Sequence, residues 1–141
     1  KCVRLEFPSD LSKVHFIKLT LTENGTVVSE NFYHRSLEEN NYQALRELPK
    51  VKLLPAIDTR KDPDGTWHAT VTVENTTATP ALMIRVNVTG EKDGLQFLPV
   101  FYSDNYFALL PGEKKTVNIR WKDEDTRGNT PKVQLSGYNV E

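Results

Sequence analysis

A chain of 141 residues with 18 Lys plus Arg, 19 Asp plus Glu and a net charge of −1 is the size of one domain, large enough to fold without a metal or disulfide. The near-neutral balance gives no sign of the clustered positive surface that nucleic acid or an anionic membrane requires, so neither is expected as a partner. The lone Cys2 excludes an internal disulfide, and no apolar run approaches the ~18 residues of a transmembrane helix.

The chain begins without Met at Lys1-Cys2-Val3-Arg4-Leu5-Glu6-Phe7, which already alternates like a strand and reads as a piece cut from a longer polypeptide. A second strand is expected over residues 14–22, with Ile17, Leu19 and Leu21 on one face. Asn24-Gly25 is a strong hairpin turn because both residues accept φ > 0. It returns the chain as an antiparallel partner over residues 26–34. Residues 36–50 break the two-residue period. Tyr42, Leu45 and Leu48 recur every three residues and Pro49 closes the segment, so one or two helical turns are expected to cross between sheets.

Residues 51–59 are apolar and extended but interrupted by Pro55, which suits a sheet edge or a bulge. After the turn Lys61-Asp62-Pro63-Asp64-Gly65, residues 66–74 place Trp67, Ala69, Val71 and Val73 on one face and His68, Thr70 and Thr72 on the other. Residues 81–88 bury Leu82, Ile84, Val86 and Val88, and residues 98–102 form a short strand. Past the turn Leu110-Pro111-Gly112-Glu113, with Pro fixing φ and Gly accepting φ > 0, Val117, Ile119 and Trp121 alternate with Thr116, Asn118 and Arg120. A polar loop over residues 122–131 leads to a last strand over 132–140. The pattern is all-β: an immunoglobulin-like antiparallel β-sandwich of eight or nine short strands with one short helical crossover. The cysteine pair of antibody domains is absent, leaving Trp67 or Trp121 to fill the core.

No catalytic arrangement stands out. There is no Gly-x-Ser-x-Gly elbow and no phosphate-cradling glycine loop. His15, His34 and His68 fall on different strands, read as solvent-facing, and a zinc site needs three or four converging ligands. Asp62-x-Asp64 lacks the Gly and Glu that a calcium loop places further on; Trp67 and Val73 stand there. No metal and no cofactor is expected. Asn-x-Ser/Thr triplets at Asn24, Asn75 and Asn87 matter only on a eukaryotic secretory route.

Binding is the better supported chemistry. Tyr102, Asp104, Asn105, Tyr106 and Phe107 combine flat apolar rings with planar hydrogen-bonding groups, which suits sugar rings and protein partners alike. The alternative turns Tyr106 and Phe107 inward and has Asp104 and Asn105 bond the loop's own backbone.

The run from Phe101 to Glu113, FYSDNYFALLPGE, resembles the C-terminal immunoglobulin-like domain of family 2 glycoside hydrolases, in the exo-β-glucosaminidase and β-mannosidase branch. There an aromatic–aromatic–Ser–Asp–Asn–Tyr–Phe loop precedes Leu-Leu-Pro-Gly-Glu, with Trp often at the place of Tyr102. The runs VVSENFY from Val27 and YQALRELPKV from Tyr42 are similar to that family as well, although His34 stands where Trp is common. The resemblance implies a retaining enzyme of periplasmic or secreted location, whose two catalytic glutamates lie on a TIM barrel that this chain cannot contain. It implies a non-catalytic accessory domain whose partners are the other domains of its polypeptide, with carbohydrate as a further candidate, and with no catalytic residue here. Rival readings are an independent carbohydrate-binding module and a protein-interaction module of immunoglobulin or fibronectin type.

Overall fold

The structure, a computed structural model, describes residue 4 and residues 6–141. The strand expected through Val3, Leu5 and Phe7 therefore falls largely outside the described residues, as does Cys2. The chain divides into two compact units, Lys1–Leu48 and Pro49–Glu141.

The first unit is built on a hairpin of β1 (Val14–Glu23) and β2 (Thr26–Ser36), joined by Asn24 and Gly25 at φ 50° and 78°. Phe16 and Phe32 stack across it at 5.5 Å, and Lys18 pairs with Glu30 at 2.9 Å. The irregular segment after β2 forms one short 3-10 turn, Gln43–Glu47, with the Tyr42 ring edge-on to His34 at 5.3 Å. The helical turn lies within this unit. His15 is not solvent-facing as its strand position suggested: it is 7% exposed and lies against the Phe7 ring at 5.8 Å.

The second unit is a sandwich of two antiparallel sheets. One runs β3 (Ala56–Lys61), β4 (Thr66–Glu74), β8 (Lys114–Lys122) and β6 (Phe101–Tyr102); the other runs β7 (Phe107–Leu109), β5 (Ala81–Gly90) and β9 (Pro131–Ser136). β3 starts directly after Pro55 and is an edge strand, the place where a missing N–H is harmless. β4 and β8 alternate cleanly: Ala69, Val71 and Val73 face the core beside Val117, Ile119 and Trp121, while β5 contributes Ile84, Val86 and Val88 from the other sheet. Trp121 is almost wholly buried, and Trp67 stacks on it at 5.9 Å with rings nearly parallel. The two are direct partners on neighbouring strands of one sheet, so Trp121 fills the core and Trp67, only partly buried, packs against it.

Two features depart from simple alternation. The loop expected over residues 122–131 contains a second 3-10 turn, Asp123–Thr126, positioned by the Trp67 indole, which donates to Asp123 at 2.7 Å. The last strand stops at Ser136, and the chain then passes so close to its neighbours that a Cβ on Gly137 would meet Val140 Cγ2 at 2.7 Å and the Leu82 carbonyl at 2.9 Å. Beyond it the Tyr138 amide donates to Leu82, and Val140 bridges Val51. β5 itself bulges at Met83, whose φ is 50°. The buried Asn139 fills the gap: its Oδ1 accepts from the Leu82 amide at 2.9 Å, and its Nδ2 donates to Pro49 and Pro80 carbonyls.

Asp64 folds the β3–β4 turn by accepting from the Thr66 amide and hydroxyl, which holds its carboxyl down at about 2. A depressed folded-state value contributes stability above the unfolded pKa, and that contribution is lost as pH falls through the folded one. Replacing Asp64 with Ala should therefore lower the melting temperature at pH 6. The deficit should vanish as pH falls from about 4 toward 2, measured by calorimetry over that range. Truncating Trp121 to Ala should cost about 3–5 kcal/mol, read from urea unfolding.

Candidate functional site

The run Tyr102–Phe107 is a crossover. It leaves the four-stranded sheet at β6 and enters the three-stranded sheet at β7, so its backbone loses one ladder before gaining the next. Ser103 prolongs the first ladder. Its amide donates to Asn118 O at 2.8 Å, and its hydroxyl accepts from the Asn118 amide at 2.9 Å. Asp104 accepts from the Asn105 amide at 2.7 Å and pairs with Lys115 of β8 at 2.5 Å. Asn105 occupies the position opposite Val86 that the Ile84–Phe107 pairing assigns to the next ladder step. Its side chain supplies what a strand backbone would: Oδ1 accepts from the Val86 amide at 2.8 Å and Nδ2 donates to the Val86 carbonyl at 3.0 Å. Ser, Asp and Asn together clasp one sheet to the other.

The five residues singled out by their chemistry thus separate by role. Phe107 is buried in the core beneath the Lys115 ammonium at 5.3 Å. The Tyr102 ring packs against the same core. Its hydroxyl is sealed from water near the Val88 backbone without a hydrogen bond of standard geometry, and burial pushes its pKa up. Asp104 and Asn105 are committed to the clasp. Tyr106 alone projects outward: it is 59% exposed, at φ 57°, a left-handed conformation that costs a bulky residue roughly 1–2 kcal/mol. The clasp on either side holds it there. The Arg85 guanidinium lies 6.0 Å from its ring and also donates to Gln96 Oε1 at 3.2 Å. An exposed ring, a guanidinium and a carboxamide therefore share one patch, of which residue chemistry alone had indicated only Tyr106. Arg85 and Gln96 were missed because nothing in their own segments marks them; the bulged β5 brings them to the loop.

On the outer face of the four-stranded sheet, an open depression of about 410 Å³ is lined by His68, Phe101, Tyr102, Ser103, Asn118 and Arg120. Phe101 is exposed, and the Arg120 guanidinium sits 5.1 Å from its ring. His68 is tied to Asp62 at 3.0 Å. Asp62 and Asp64, the pair reminiscent of a calcium loop, are engaged by Arg60, His68, Thr66 and Lys122. Among the described residues no cluster of three or more His, Cys, Asp or Glu side chains could hold a metal.

Asn105→Ala should destabilise the protein by about 1–3 kcal/mol, since it strips both partners from Val86. Tyr106→Gly should stay within about 1 kcal/mol of wild type, because relief of the left-handed strain offsets lost contact and added chain entropy. Denaturant titration of the two variants distinguishes them.

Residues 31–140 match the family model described as the exo-beta-D-glucosaminidase Ig-fold domain. The chain is 31% identical to the exo-beta-D-glucosaminidase of Streptomyces avermitilis, an alignment covering 94% of this chain and 17% of that protein. It is 53% identical to the mannosylglycoprotein endo-beta-mannosidase of Lilium longiflorum over 49 residues, which cover 35% of this chain and 5% of that one. The crystal structure of the Amycolatopsis orientalis exo-chitosanase superposes with a TM-score of 0.87 at 28% identity, over 98% of this chain and 19% of that one. The chain thus spans less than a fifth of the length of the relatives it matches.

Proposed function

Because the chain belongs to the family of exo-β-D-glucosaminidase Ig-fold domains, we propose that it serves as the accessory domain at the C-terminal end of a larger family 2 glycoside hydrolase, with Tyr106 reaching toward the substrate entrance. The observation that carries this reading is coverage: nearly the whole chain corresponds to a small part of a chitosan-cleaving enzyme's structure. The chemistry belongs elsewhere in that polypeptide, to a retaining pair of carboxylates, one acting as nucleophile and one as acid/base. This chain's own contribution is to pack against neighbouring domains and to present the Tyr106, Arg85 and Gln96 patch. A ring beside a guanidinium and a carboxamide offers a sugar one flat apolar face and several hydrogen bonds.

The substrate in this reading is a terminal β-linked glucosaminide. The higher local identity to the lily enzyme favours a second reading, in which the parent cleaves a β-mannoside. The two sugars differ at C2, so assays on aryl β-glucosaminide and aryl β-mannoside, with aryl β-galactoside as a third substrate, separate the readings. The native polypeptide should be several times larger than 16.1 kDa and active on one of them. A mature chain of about this mass that is inert on all three but binds oligosaccharide would favour an independent binding module. In the full enzyme Tyr106→Ala should raise KM about 2–10-fold, the loss of one aromatic contact worth ~0.5–1.5 kcal/mol. Its kcat and melting temperature should be nearly unchanged.

A further inference from the structure

The three Asn-x-Ser/Thr triplets, at Asn24, Asn75 and Asn87, are equivalent as sequence and wholly unlike as structure. Asn75 is 0% exposed. Its Nδ2 donates to the Thr79 and Leu109 carbonyls at 2.8 and 2.9 Å, and its Oδ1 accepts from the Thr77 amide and hydroxyl. The nitrogen that would carry a sugar is thus holding the β4–β5 connection against the strand leading to the Pro-Gly turn. Asn87 lies within β5, the central strand of its sheet, opposite Gln134 of β9, and its Oδ1 is buried. Asn75 leaves no room for an oligosaccharide in the folded protein, and the Asn87 triplet is closed at Thr89, which is 3% exposed.

Asn24 is the opposite case. It stands at the tip of the β1–β2 hairpin, and Asn24, Gly25 and Thr26 are all exposed. A Cβ added at Gly25 would meet nothing within 4 Å. The Asn24 carboxamide makes no hydrogen bond to any described residue, and its place in the turn depends on backbone φ, not on side-chain contact. The triplet therefore projects an unencumbered acceptor amide into open space, with the Thr26 hydroxyl two residues on.

We propose that Asn24 is an N-linked glycosylation site, the one acceptor of the three that this fold leaves open. Transfer from a lipid-linked oligosaccharide pyrophosphate forms a bond between Asn24 Nδ2 and the anomeric carbon. The sugar–phosphate bond breaks, the lipid pyrophosphate leaves, and the amide nitrogen gives up one proton. A glycan here fixes the hairpin tip as a solvent-facing surface of the assembled enzyme, because a neighbouring domain could not cover it.

The test is to secrete the full-length parent polypeptide from a eukaryotic host alongside a reporter glycoprotein, and to map glycopeptides by mass spectrometry before and after enzymatic deglycosylation. Asn24 should be occupied and Asn75 and Asn87 bare. Asn24→Gln and Thr26→Ala should each remove the mass of one glycan from this domain; the second keeps the turn-forming Asn and so guards against a folding defect. A bare Asn24 beside a modified reporter would overturn the proposal, as would a glycan on Asn75 or Asn87 of the folded protein.

Discussion

A sandwich whose chain crosses from one sheet to the other must leave backbone groups without a ladder at every crossing, and a buried unpaired amide or carbonyl is costly. This protein meets that constraint repeatedly with asparagine, whose carboxamide carries the same donor and acceptor as a peptide unit. Asn105 completes the ladder at Val86, Asn139 serves the bulged β5 at Leu82, and Asn75 ties the Pro-Gly turn to the neighbouring connection. The hydrophobic core provides the driving force, but these side chains decide where the sheets are joined and where the strands stop.

The same clasp explains how a loop rich in attractive binding chemistry comes to offer so little of it. Ser103, Asp104 and Asn105 are committed to β8 and β5, and Phe107 to the core, which leaves Tyr106 to project. A ring held in a left-handed conformation by committed neighbours is pre-organised, and pre-organisation lowers the entropy lost on contact with a partner. The geometry therefore divides the loop in two, with the clasp joining the sheets and one aromatic patch left at the surface.

The strands were legible where each has one buried and one wet face. Residues 66–74 and the run through Val117, Ile119 and Trp121 alternate without a break, and the observed β4 and β8 follow them. The end of β9 was not legible, because the chain beyond Ser136 is placed by a close approach of Gly137 to Leu82 and Val140 that no local pattern encodes. His15 misled for a related reason: its polar side chain suggests a wet face, and only the tertiary fold puts it against Phe7. The asparagines were hardest of all, since Asn in a polar turn reads as turn chemistry whether or not its side chain replaces a strand. For Asn105 the available clue was register, two positions before a strand residue whose partner lies two positions before Val86.

Hydrogen exchange at the Val86 amide, which donates to the Asn105 side chain, reports on the clasp most directly. The account predicts that this amide exchanges only with global opening in the wild type, and that in Asn105→Ala it exchanges far faster than the neighbouring amides of β5. Equal protection of Val86 in the two proteins would contradict the claim that an asparagine side chain joins the sheets.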